Sequence, residues 1–239
     1  MIRKAYFSLL VVTIGFLTSC SKEDLPQYDY KTLGTSAHDL LVSSGFSSLI
    51  IEVDYMPGYE PDGTSLINLQ NFLEMHINKP GGIQIIQKQI PSSGQISLSV
   101  DNLVEIEKHN RTKFSAGTTI AVHILIVDAD FTGSPLFGLA YWNTSFCLFG
   151  KNIFYSSGGT GQVRRSVLMT TLLEHEFGHL LGLVDQGSPM QTTHRDTVNG
   201  AHCDNHSCLM YYGIESTANG ITPMPDSNCI ADLRANGGK

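Results

Sequence analysis

Apolar positions along this chain follow two rhythms. Ser48–Tyr55 (SLIIEVDY) and residues 83–90 and 118–128 are short runs rich in branched side chains, the mark of strands. The last of these, TTIAVHILIVD, is nearly continuous and so predicts a central strand buried on both faces. Between them the spacing changes to three and four. After the break at residues 57–63, Thr64 or Ser65 can cap a helix running through Leu69, Phe72, Leu73 and His76, and a second helix is predicted over 101–110. Strand, helix, strand, helix, strand implies an open, largely parallel, twisted sheet covered by helices. Two further extended pieces are predicted at 138–143 and 146–155, read either as an antiparallel edge able to accept an extended peptide or as a covered hairpin. A long helix is then expected over 162–183, where Leu168, Leu172, His175, His179 and Gly182 share one stripe and Met169, Leu173, Phe177 and Leu180 cover adjoining ground.

The N-terminal end is of a different kind. Arg3 and Lys4 precede an apolar core from Ala5 to Leu17, and Leu17-Thr18-Ser19-Cys20 resembles a bacterial lipobox. Residues 1–19 are therefore read as a signal peptide, Cys20 as the lipid-bearing first residue of the mature chain, and 20–46 as a polar tether. Ser21 after the cysteine favours, by the same resemblance, an outer-membrane lipoprotein on the periplasmic or surface face. Removing Arg3 and Lys4, and no acid, takes the formal charge from −7 to −9, which speaks against nucleic acid as a partner. Residues 47–239 are enough for one core of ordinary domain size with two lobes, an upper part (47–183) and a lower part (184–239). Cys147, Cys203, Cys208 and Cys229 make an even set in an exported chain, and disulfides Cys203 to Cys208 and Cys147 to Cys229 are expected. The glycines at 158–161 precede a helix, but without the Lys-Ser or Lys-Thr a phosphate cradle needs.

The long helix carries the chemistry. In His175-Glu176-Phe177-Gly178-His179-Leu180-Leu181-Gly182-Leu183-Val184-Asp185, two imidazoles four residues apart fall on one face and can aim at one metal. Glu176 sits about 100° round the helix. Neutral imidazole suits zinc, and a carboxylate beside an open coordination position can take a proton from water. Two polar rings on an otherwise apolar helix need partners, and one ion satisfies both.

This pattern, His-Glu-x-x-His-x-x-Gly-x-x-Asp, resembles the metzincin clan of zinc metallopeptidases in its snapalysin-like aspartate form, and Cys208-Leu209-Met210-Tyr211-Tyr212 looks like the clan's methionine turn. The resemblance implies an α+β fold of zincin/metzincin type. That fold has a long active-site helix and a small irregular C-terminal part with the turn and a terminal helix. It leaves the third ligand open. Asp185 stands at the clan's spacing. His202-Cys203, followed by Cys208 and Met210, matches the archaemetzincin pattern, in which the histidine ligates; this requires an insertion after Gly182, of the kind leishmanolysin-like enzymes accommodate. His194 lies in the same insert, and His206 is read as a solvated loop residue. Archaemetzincins also pair two cysteines near the end for a second zinc, but here Asp232 stands where the partner of Cys229 would be, so no four-cysteine site is expected.

By the same resemblance Glu176 is the general base, Tyr212 stabilises the tetrahedral oxyanion and Met210 forms a base under the metal. The sequence thus points to a zinc-dependent endopeptidase acting outside the cytoplasm, with a peptide or protein substrate and a membrane tie through Cys20. A zinc amidase acting on cell-wall material and a non-catalytic surface-binding lipoprotein are the alternatives.

Overall fold

The parallel strands lie side by side because every backbone polar group of the buried run finds a partner there. In the computed structural model, which describes residues 30–213 and 220–239, β1 (Ser48–Tyr55) is flanked by β2 (Ile83–Gln89) and β4 (Thr119–Val127), both parallel to it. β7 (Ser145–Phe149) adds in parallel to β4, and β6 (Gly138–Trp142) runs antiparallel to β7 at the edge. The order β2-β1-β4-β7-β6 gives the mixed, mostly parallel sheet expected from the strand rhythm. A small second sheet pairs β3 (Ser97–Leu98) with β5 (Asp130–Phe131).

Helices cover both faces. On one face Leu49, Ile51 and Val53 of β1 and Ile120, Val122, Ile124 and Ile126 of β4 join one apolar cluster. The helices supply Leu69, Phe72 and Leu73 of α2 (Gly63–His76) and Leu172, Leu173 and Phe177 of α5 (Arg165–Leu180) to the same cluster. On the other face Leu125 and Val127 of β4 and Cys147 and Phe149 of β7 pack with Leu103 of α3 (Val100–Asn110). That second face also buries a polar network. Arg111 and Glu107 pair at 2.8 Å, Tyr141 donates to Glu107 at 2.6 Å, and His123 lies 3.1 Å from Asp54. Such groups stay buried only because each is partnered.

Local chemistry sets the helix starts. Asp62 accepts from the Ser65 N–H at 3.0 Å to cap α2, and Ser99 and Asn102 form a capping box on α3. α6 (Ser227–Ala235) is capped by Asp226, which accepts from the N–H groups of Asn228 and Cys229.

Three expectations are corrected. The described part of the expected tether, from residue 30 on, is built into the domain. Leu40 and Leu41 of α1 (Ala37–Leu41) are fully buried, and the Lys79 ammonium donates to the carbonyls of Asp39, Val42 and Phe46, which tie α1 and the chain after it to the core. The piece 146–155 is extended only to Phe149. There α4 (Gly150–Ser156) begins, burying Ile153 and setting Phe154 edge-on to Tyr59 at 5.2 Å. The long helix starts at Arg165 rather than 162, because Val163 is still held in a bridge to Ser157. The signal peptide, Cys20 and the start of the tether lie outside the described residues.

Candidate metal centre

α5 ends where Gly182 turns the chain at φ 79°; a side chain there would meet the Ala37 Cβ at 2.7 Å. Val184 and Asp185 also take left-handed backbone (φ 54° and 65°), unusual for residues with a Cβ. These turns carry Asp185 outward, where its carboxylate is exposed and 3.7 Å from Arg195. Asp185 is therefore not grouped with the helix histidines, although it stands at the right spacing along the chain.

His202 takes that place. One ring nitrogen from each of His175, His179 and His202 lies within 4.8 Å of the other two. Their ring centroids are 4.9, 5.3 and 5.3 Å apart. Three imidazoles bound tetrahedrally at the usual zinc–nitrogen distance have centroids about 5 Å apart, so the donor set fits the ion. A short hairpin delivers His202: Arg195 bridges Cys203 antiparallel, Asp196 donates its N–H to the His202 carbonyl at 2.8 Å, and Asp204 donates to the His194 carbonyl at 2.9 Å.

Hydrogen bonds orient two of the rings. The Nδ1–H of His175 donates to the Leu209 carbonyl at 2.8 Å, and that of His202 to the Asn199 carbonyl at 2.7 Å. A carbonyl only accepts, so in both rings Nδ1 holds the proton and Nε2 keeps its lone pair for a metal. His179 Nδ1 is buried without a hydrogen-bond partner, so no such bond fixes the tautomer of this third ring. Burial lowers the His175 pKa to about 4 and holds His179 well below the usual range, so both rings are neutral at neutral pH.

Glu176 sits beside this triangle under the edge strand. Burial raises its pKa to about 8, partly countered by a hydrogen bond from the Ala140 backbone. Gly138 lies directly over its carboxylate, where any Cβ would overlap Glu176 Oε1. Met210 is fully buried, and its sulfur packs against Gly178 of the helix that bears the histidines, where a Cβ would clash. Tyr212 is half-exposed and lines the cleft, and His206 is exposed and packs on Tyr211 at 4.4 Å, as a solvated loop residue. His194 is buried elsewhere, against Asp232 and Cys203.

The cleft around these groups has a volume of about 530 Å³ and runs along β6. Leu136, Leu172, Leu209 and Tyr211 give it apolar walls, and Leu33 from the N-terminal segment contributes to them. Nothing in the sequence marks Leu33 as a site residue; only the fold brings it there.

No family model matches the chain, and no curated protein matches it. Among solved structures it is similar to archaemetzincin from Methanopyrus kandleri, with a TM-score of 0.52 and 12% identity over 80% of this chain and 96% of that one. It also matches metalloproteinase-II from Bacteroides fragilis, with a TM-score of 0.47 and 17% identity over 82% of this chain and 56% of that one. At these identities the first match speaks for the fold.

Proposed function

We propose that this chain is a zinc-dependent endopeptidase in which His175, His179 and His202 hold the metal and Glu176 is the general base. The observation that carries this reading is the triangle of imidazoles with a carboxylate beside it, lying along the edge strand β6 of the sheet. A structural zinc site closes all its positions with protein ligands, whereas three imidazoles leave one open. Zinc, when bound, supplies a Lewis acid that acidifies water and polarises a carbonyl.

The chain's own groups do the rest. Glu176 accepts the proton of the attacking water and passes it to the departing amine. As the edge strand, β6 offers backbone groups along the cleft to an extended peptide, and the apolar walls take its side chains. Tyr212, on the rim, is the group we assign to the oxyanion. The same reading takes the chain out of the cytoplasm, with a lipid on Cys20.

The test is digestion of an unbiased peptide library by the mature chain and by Glu176→Gln. The variant is expected to keep its zinc and to lose cleavage by a factor of about 10² or more. Equal cleavage by both would refute the assignment, and cleavage of cell-wall fragments in place of peptides would favour an amidase.

A further inference from the structure

A second group of ligand atoms lies on the far side of the hairpin that delivers His202. Cys203, Cys208, Cys229 and His194 are each at most 1% exposed, and none of the four described cysteines is in a disulfide. The expected pairings do not form. Cys147 packs in the core on the α3 face, in a cluster separate from that of Cys229. The Cys208 and Cys229 sulfurs are 3.6 Å apart, far beyond the roughly 2.05 Å of a disulfide.

We infer that Cys203, Cys208, Cys229 and His194 form a closed structural site for zinc, buttressed by Asp232. Around a tetrahedral zinc with ordinary bond lengths, sulfur–sulfur edges measure about 3.8 Å and sulfur–nitrogen edges about 3.6 Å. The Cys208–Cys229 edge is 3.6 Å, and His194 Nδ1 lies 3.3 Å from the Cys203 sulfur and 3.9 Å from that of Cys229. The histidine is already oriented for the task. Its Nε2–H donates to Asp232 at 2.8 Å, leaving the Nδ1 lone pair facing the sulfurs, the carboxylate–histidine arrangement that supports a metal-bound ring. Asp232, whose place in the sequence spoke against a four-cysteine site, thus serves the ligand that stands in for the missing cysteine. Its other oxygen accepts from the Gln191 N–H at 2.7 Å, so the insert after Gly182 is clamped to α6.

Asp226 competes with Cys208 for the fourth position: a carboxylate oxygen of Asp226 groups within 4.8 Å with the ligand atoms of His194, Cys203 and Cys229, and its Oδ2 lies 3.5 Å from the Cys203 sulfur. Its Oδ1 is occupied by the N–H groups that begin α6, and its Oδ2 accepts from Asn205 at 3.0 Å. The Cys208 sulfur instead receives the N–H groups of Met210 at 3.4 Å and Asp226 at 3.3 Å, an environment suited to a thiolate. Because His202 and Cys203 are adjacent in the hairpin, their side chains point to opposite sides, one toward each cluster. The second site would thereby hold in place the loop that carries the third imidazole of the first.

The inference is independent of the proposed activity, and metal analysis tests it. The mature wild-type chain is expected to hold two zinc ions. The double variant His175→Ala/His179→Ala should keep one, and after cobalt exchange should show the near-ultraviolet band of thiolate-to-cobalt charge transfer. Cys229→Ser and His194→Ala should lose that ion and its band, while Asp226→Asn should keep both. An organomercurial that blocks thiols should release one of the two ions from wild type, a measurement that stands even where a variant fails to fold. One zinc in wild type with none in the double variant, or a Cys208–Cys229 disulfide found by mass spectrometry in the purified chain, would overturn the site. Loss of the ion in Asp226→Asn with retention in Cys208→Ser would overturn the ligand set.

Discussion

Gly138 has no room for a side chain, because the Glu176 carboxylate fills the space above its Cα. Gly138→Ala is accordingly expected to displace that carboxylate and to lower kcat about 10- to 100-fold with zinc content unchanged, as kinetics and metal analysis on one preparation would reveal. The choice of third ligand is tested at the same scale. Asp185→Asn should leave zinc affinity as it is, since the carboxylate is exposed and away from the imidazoles. His202→Ala should weaken it by more than the roughly 10- to 100-fold that loss of a supporting hydrogen bond costs. A chelator competition on the two variants separates the alternatives, and the reverse ranking would return the role to Asp185. His175, Glu176 and His179 were legible from their spacing because one helix fixes their mutual geometry. His202 was only one of three candidates, because its approach depends on a loop.

α5 carries two buried carboxyls, Glu174 and Glu176, each with its pKa raised to about 8 by burial. A folded-state pKa above the unfolded one means that the folded state holds the proton more tightly. The stabilisation is full below about pH 4.5 and is lost as pH rises through 8. The buried histidines shift the opposite way, losing stability as pH falls from 6.5 toward 4. Glu174→Gln isolates the first effect. Between pH 5 and 8 the metal-free variant should lose less stability than metal-free wild type, by at most about 4 kcal/mol, as denaturant midpoints across that range would report. An identical slope in both would show that Glu174 is not held in its neutral form. The helices and strands themselves were legible where one rhythm persisted, as in β4. The run after β7 misled because its dense aromatics mask the change from strand to helix spacing at Gly150.

At the scale of the whole molecule, the N-terminal segment adds Leu33 to the cleft and buries α1, so the chain enters the domain beside the active-site face. Among the described residues no helix is long and apolar enough to cross a membrane, and a lipid on Cys20 is the anchor we propose. Cells expressing the full chain with a labelled fatty acid are expected to incorporate it, and Cys20→Ala should abolish the label; labelling that survives would remove the anchor. By itself the sequence determined the main strands and helices of the largely parallel sheet and the pair of imidazoles with their carboxylate, because hydrophobic period and helical spacing are local properties. Only the tertiary structure decided which distant group completes the triangle, that Asp185 turns away, and that Cys203 and Cys229 gather at His194. Those depend on loops whose paths are set by packing between residues far apart in the chain, and no local rhythm records that packing.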